Sequence, residues 1–310
     1  MVAAVRAFFT NRLSPRDDAH LWQRVGVLIP YFWLLIFFLM PFVIVFKISF
    51  ADPITAQPPF TALFDWTKEA FERIYITLDN YRYLFQDRLY VVTYLNSIWL
   101  AAISTFLCLL IGYPMAYAIA RSPSSTRYVL LLMVIGPFWI SFLLRVYAWI
   151  GILNTRGVLN NFLLWTGIID APIAILYTDT AVFVGMVYSY LPFMILPLYA
   201  VLERLDIDLL EAAADLGSRP AQTFRDVTLP LSKPGIIAGC MLVFIPAMGE
   251  WVIPALLGGP DTLMVGRILY DDFFLSRDWP VASAVAVVLL VLLVVPMMVF
   301  QHYQARDSGT

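Results

Sequence analysis

Residues 211–235 read EAAADLGSRPAQTFRDVTLPLSKPG, a polar stretch inside a 310-residue chain that is 61% apolar and only 14% charged. Just before it, Asp208 and Glu211 have the spacing of a capping box, with Asp in place of Ser or Thr. Leu209, Leu210, Ala213 and Leu216 then recur at helical spacing, and Gly217 supplies a residue that tolerates positive φ at a helix end. Pro220 suits the first turn of a second short helix, Pro230 ends it, and Pro234 opens the next apolar run. The stretch therefore reads as helix, glycine turn, helix. Its small apolar face is rimmed by Glu211, Asp215, Arg219, Arg225 and Asp226. Such a unit either docks into a groove on another protein or rests on a bilayer surface, and few Lys or Arg line it to favour lipid.

Around this island the chain is built for lipid. A helix needs about 20 apolar residues to cross a hydrocarbon layer. Six runs qualify: 27–50, 94–120, 128–153, 174–202, 234–257 and 280–301. Pro41, Pro114, Pro137, Pro192 and Pro246 fall inside them and predict kinked helices. The first run lacks the short core and small-residue cleavage site of a secretory signal, so it reads as a retained helix. Cys108 and Cys240 sit in apolar runs and read as buried reduced thiols. GIIAG (235–239) has the small-xxx-small spacing of close helix packing.

Orientation follows from Lys and Arg in the short connections. With the N-terminus inside, the inner segments carry eleven: Arg6, Arg12, Arg16, Arg24, Arg121, Arg127, Arg204, Arg219, Arg225, Lys233 and Arg306. The outer segments carry seven: Lys68, Arg73, Arg82, Arg88, Arg156, Arg267 and Arg277. Both termini are thus expected in the cytoplasm. The chain divides into a cytoplasmic segment 1–26, a six-helix domain 27–302 with the polar loop at 203–233, and a tail 303–310. TLDNYRYLF (77–85) reads as a short interfacial segment, and GVLNNFLLWTG (157–167) is too short to span and is expected along the outer surface.

The same outer segments hold twelve carboxylates: Asp52, Asp65, Glu69, Glu72, Asp79, Asp87, Asp170, Asp179, Asp261, Asp271, Asp272 and Asp278. A negative mouth concentrates cations, although salt screens exposed charge over about 8–10 Å. Apart from Asp179, near the outer end of the run 174–202 and grouped with the outer segments, Lys47, Arg145 and Glu250 are the charges within the spans, and Lys47 can snorkel to the surface. Arg145 and Glu250 each lie roughly 10 Å below the outer face at a helical rise of 1.5 Å per residue, so they either pair or line a polar path. Glu250 stands beside Pro246, Trp251 and Pro254, and a carboxylate next to an indole suits an ammonium group. Tyr147, Trp149, Tyr188, Tyr190 and Asp261 are further path candidates, the aromatic ones competing with a role in the interfacial belt.

Several functions are excluded. His20 and His302 stand near opposite termini, with no HExxH and no GxSxG, so no catalytic constellation, metal site or cofactor is expected. No GxxxxGK[ST] is present to hold a nucleotide, so energy must come from another subunit. No basic run offers a path for nucleic acid. An ion-coupled secondary carrier would carry repeated halves with matching broken helices, and none is visible.

Glu211-Ala212-Ala213, then Gly217, then Leu229-Pro230 resemble the EAA loop of ABC importer permeases, with Val227 where that pattern usually has Ile. TLDNYRYLF, LLIGYPMAYAIA (109–120), SFLLRVYAWIGIL (141–153), GVLNNFLLW, ALLGGPD (255–261) and RDWPVASAVA (277–286) resemble the permeases of spermidine and putrescine importers, of the PotH or PotB type, over residues 25–302. The resemblance implies an all-α, six-transmembrane-helix type I ABC importer permease (MetI-like) fold in a bacterial inner membrane. It implies that Glu211, Ala212, Ala213, Asp215, Gly217, Arg219, Leu229 and Pro230 seat in a cleft of an ATPase. It further implies two ATPase subunits, a second and different permease forming the other half of the pore, a periplasmic polyamine-binding protein, and no catalysis by this chain. The alternatives are the secondary carrier or an importer permease for another small cation or organic solute.

Overall fold

The computed structural model describes residues 28–61, 64–67, 70–74 and 76–307. The segment 1–26 and its four arginines lie outside them, as do the side chains of 62–75 and of Arg306. Among the described residues, those up to Tyr81 with Asp278–Val287 form one compact unit, and Arg82–Arg277 with those from Val288 form a second.

In the first unit, α1 (Leu28–Ile48) is long and apolar enough to cross a membrane, and of its residues only Ile48, at its end, is buried against the chain. Its residues Leu35–Leu39 wind as a π-helix, with the Met40 N–H reaching back to the Leu35 carbonyl. Pro41 follows at once. A proline supplies no N–H and crowds the preceding turn, and the wider π turn absorbs both effects. TLDNYRYLF forms α2 (Asp79–Gln86). Buried Asn80 donates to the carbonyls of Ser49 (3.0 Å) and Ala51 (2.8 Å), tying α2 to the end of α1. The loop between them also folds an antiparallel ribbon, β1 (Phe64–Thr67) and β2 (Ala70–Ile74), with Phe64 opposite Ile74 and a bulge between Asp65 and Trp66. β1 (FDWT) alternates apolar and polar residues over four positions and β2 (AFERI) does not, and the pair is a small ribbon in an otherwise helical fold.

The second unit is organised by three helices: α3 (Arg88–Arg121), α7 (Asp179–Leu202) and α10 (Lys233–Met248). Asp87 caps α3 by accepting the Leu89 N–H at 2.8 Å. The three helices bury Ala101, Cys108, Met194, Leu198 and Val243 between them. A Cβ on Gly239 would stand 2.7 Å from Met194 Sδ, so GIIAG does mark close packing of α10 on α7. Both cysteines are free thiols, Cys108 buried and Cys240 half-buried.

Two expected crossings are broken. The run 128–153 divides into α4 (Ser124–Ile135), a 3-10 turn Gly136–Trp139 and α5 (Phe142–Leu153). The segments on either side of residues 140–141 diverge by 92°. Pro137 cannot continue the α-helical ladder, and Ile140 and Ser141 adopt extended backbone. The short α6 (Val158–Trp165) follows, with Val158, Phe162 and Trp165 exposed. The run 234–257 divides into α10, ending at Met248, and α11 (Val252–Leu257). Glu250 therefore sits in a break and not within a helix. After it come α12 (Val265–Tyr270), a π turn Asp271–Leu275 and α13 (Trp279–Asp307), which continues past the expected boundary at 302.

Candidate functional site

The polar island folds as α8 (Asp208–Asp215) and α9 (Pro220–Leu231), joined through Gly217 at φ +81°. The Gly217 N–H bonds the Ala214 carbonyl (2.8 Å) and the Ser218 N–H reaches the Ala213 carbonyl (3.0 Å), closing α8 as a left-handed glycine does. Details of the capping differ from expectation. Asp206 Oδ1, not Asp208, accepts an amide, the N–H of Asp208 itself at 3.1 Å, so the Asp208–Glu211 box is absent. At the second helix, Gln222 Oε1 accepts the Arg219 N–H at 3.0 Å and the Gln222 N–H returns to the Arg219 carbonyl at 2.8 Å, with Pro220 in the first turn. α9 ends at Leu231, one residue past Pro230. Pro230 stands two residues after a second π turn, Phe224–Thr228, the same spacing as Pro41 after Leu35–Leu39 in α1.

Neither α8 nor the Pro220–Thr223 turn contributes a buried residue. Glu211, Ala212, Asp215, Gly217, Arg219 and Pro230 are exposed, Ala213 and Leu229 half-buried, and Leu216 is 90% exposed. What is buried lies at the base. Thr228 and Ser232 are enclosed; the Tyr113 ring meets Phe224 edge-on at 5.5 Å, and the Tyr113 hydroxyl lies 2.8 Å from Ser232 Oγ. The result is a protruding, polar-rimmed hairpin fastened to α3 at its root.

The second cluster forms where α5, α7 and α11 pack together. Glu250, 7% exposed, fills the break after α10. Its Oε1 accepts the N–H groups of Trp251 (3.1 Å), Val252 (2.9 Å) and Ile253 (3.4 Å), capping α11, while Oε2 accepts the Tyr190 hydroxyl at 2.5 Å. Gly266 presses on the same break: a Cβ there would stand 2.3 Å from the Gly249 carbonyl oxygen and 2.7 Å from that of Glu250. Trp251 stacks on Tyr270, centroids 4.2 Å apart.

Arg145 is not paired with Glu250; among the described residues no ion pair joins them. The Arg145 guanidinium lies over Phe138 (4.7 Å) and Phe142 (5.7 Å), and its buried Nε and Nη1 have no hydrogen-bond partner. Phe138 meets Phe193 edge-on at 5.3 Å and Phe193 meets Tyr190 at 6.3 Å, so a row of rings stands between the cation and the carboxylate. Trp149 and Tyr188 make a T-shaped pair at 5.3 Å. Tyr147 and Asp261 are exposed and join neither group. Tyr270 and Gly266 were not singled out from sequence. Each is brought to the site by tertiary packing, and Tyr270 is one tyrosine among 16 in the chain, with no local signal to distinguish it.

Residues 108–308 match the family described as binding-protein-dependent transport system inner membrane component. The spermidine/putrescine transport system permease protein PotB of Haemophilus influenzae is 42% identical over 285 residues, which is 92% of this chain and 94% of the relative. PotB of Escherichia coli is 41% identical over 86% of this chain and 92% of its own length. Among solved structures, the bacterial alginate ABC transporter in complex with its pentasaccharide-bound periplasmic protein has a chain that superposes with a TM-score of 0.67 at 21% identity, covering 95% of this chain and 98% of that one. This likeness shows the fold, that of a type I importer permease. The matched relatives are transport subunits and not enzymes. With its long apolar helices, this chain is a multi-pass inner-membrane protein, and it belongs to the family of inner-membrane components of binding-protein-dependent transport systems.

Proposed function

We propose that this chain is the permease subunit of an ATP-driven polyamine importer, carrying putrescine or spermidine. It forms half of the translocation pore beside a second, different permease, receives cargo from a periplasmic binding protein, and is driven by two ATPase subunits. The observation that carries the substrate is the 42% identity, over nearly its whole length, to a permease named for spermidine and putrescine. The exposed hairpin α8–α9 supports the drive: Glu211, Ala212, Asp215, Gly217 and Arg219, with half-buried Ala213, present an exposed, polar-rimmed surface, and Leu229 and Pro230 join it to its buried root. The surplus of Lys and Arg on the hairpin side supports a cytoplasmic location for both termini. The transmembrane domain then spans residues 27–302, with 203–233 as the coupling loop, 1–26 as a cytoplasmic N-terminal segment and 303–310 as a tail. The cluster of Glu250, Trp251, Tyr188 and Trp149 borders the path, with Arg145 behind its aromatic row.

The test is reconstitution in proteoliposomes with both permeases, the ATPase and the binding protein, followed by uptake of radiolabelled putrescine and spermidine. ATP-dependent uptake that needs all components is expected. Uptake by this chain alone, driven by an ion gradient, would instead establish a secondary carrier.

A further inference from the structure

The Glu250 carboxylate is occupied. Four donors of its own chain converge on its two oxygens, and the residue is 7% exposed. An arriving cation would have to displace the Tyr190 hydroxyl or uncap α11 to reach it, and unmade bonds to a buried carboxylate are costly. Trp251, its neighbour, is 39% exposed. Its ring lies on Tyr270 with the planes 5° from parallel, and Phe274, 59% exposed, packs on Tyr270 at 4.8 Å. In a two-ring stack each ring offers one face to the other and keeps its second face for another contact. An indole face attracts an organic cation through its quadrupole, more strongly than a phenyl or phenol face does. Beside Tyr270, the half-buried carboxylate of Asp271 has no hydrogen-bond or ion-pair partner among the described residues and adds negative potential.

Both rings are held from behind. Trp251 is fixed because its own N–H and the next two are bonded to Glu250 Oε1. Tyr270 is fixed through α12, where the Val265 N–H donates to buried Ser97 at 2.8 Å and Gly266 abuts the carbonyls of Gly249 and Glu250. Displacing the Glu250 carboxylate would therefore re-aim the indole.

We propose that the Trp251–Tyr270 stack is a receiving surface for a substrate ammonium group, and that Glu250 is a positioning residue that aims it and not the cation's ligand. This rests on the polyamine reading above, and it assigns separate roles to two adjacent residues.

The experiment uses the complete importer in proteoliposomes and measures the apparent KM and maximal rate for putrescine. Tryptophans carrying one to four ring fluorines, introduced at position 251 only, keep the shape of the indole while draining negative charge from its face. KM is expected to rise stepwise with fluorine number, by about two- to thirtyfold in total, at a nearly constant maximal rate. Glu250→Gln retains a carbonyl acceptor for the α11 amides and should keep KM within about threefold, whereas Glu250→Ala, which releases the break, should raise KM as Trp251→Leu does. Flat KM across the fluorine series overturns the receiving surface. Glu250→Gln matching Trp251→Leu overturns the positioning role, because loss of charge alone would then suffice. Wild-type complex that imports neither putrescine nor spermidine sinks the polyamine reading itself, an outcome distinct from a flat fluorine series in an active transporter.

Discussion

The Tyr113 hydroxyl of α3 lies 2.8 Å from Ser232 Oγ, at the joint where the protruding hairpin turns into α10. The same ring meets Phe224 of the hairpin, so a single side chain of a long membrane helix contacts both the hairpin and the start of the helix that leads to Glu250. A push on the hairpin has a packed route into the bundle.

Removing that hydroxyl should loosen the joint without dismantling it. Tyr113→Phe keeps the edge-on contact with Phe224, and Ser232 Oγ still donates to the Leu229 carbonyl at 3.0 Å. A loss of about 1 kcal/mol in stability is expected, with assembly intact and fewer substrates moved per ATP. Thermal unfolding in detergent and the ratio of uptake to ATP hydrolysis are the readouts. An unchanged ratio would show that the joint transmits nothing.

Gly217 at φ +81° is open to solvent, and a Cβ there would meet nothing within 4 Å. Any effect of substitution therefore comes from the backbone. Gly217→Val should cost about 1–2 kcal/mol locally, re-aim α8 against α9, and abolish ATPase-coupled uptake while membrane insertion persists. Gly217→Asn, which tolerates the left-handed region, should retain most uptake. Equal activity of the two variants in a transport assay would contradict a conformational role.

Arg145 and Glu250 should behave as independent sites. A double-mutant cycle of Arg145→Gln and Glu250→Gln on the unfolding of the assembled importer should give a coupling energy below about 0.5 kcal/mol, as expected without a shared ion pair. Coupling of about 1.5 kcal/mol or more would mean that the two meet in a second conformation of the transporter.

Gly266→Ala tests the break directly. Its Cβ would fall within 2.3 Å of a backbone oxygen that cannot rotate away. Overpacking of this kind typically costs about 1–3 kcal/mol. Poor assembly, or assembly with Trp251 fluorescence shifted towards a more exposed environment, is expected. Gly136→Ala, where a Cβ meets nothing within 4 Å, serves as a matched control.

Lipid-crossing runs, the polar island and the helix–glycine–helix order within it were legible in the sequence because each rests on local signals: runs of apolar residues, proline and glycine at fixed offsets, and a positive-φ position. The same signals missed where helices break. Pro137 and Pro246 read as kinks, yet at or just after them the chain turns through extended or irregular backbone. Local propensity does not reveal whether a neighbour will satisfy the freed amides, and at Glu250 the satisfaction comes from a side chain at the break itself, steadied by Tyr190 from a helix 60 residues away in sequence. The sequence by itself determined a bundle of membrane helices with one exposed hairpin, and it marked Arg145 and Glu250 as intramembrane charges. Only the tertiary structure decided their partners. Two opposite charges at matching depth suggest a pair, but the packing of Phe138 and Phe193 between their elements gives the cation aromatic faces and leaves the carboxylate to amides and a phenol.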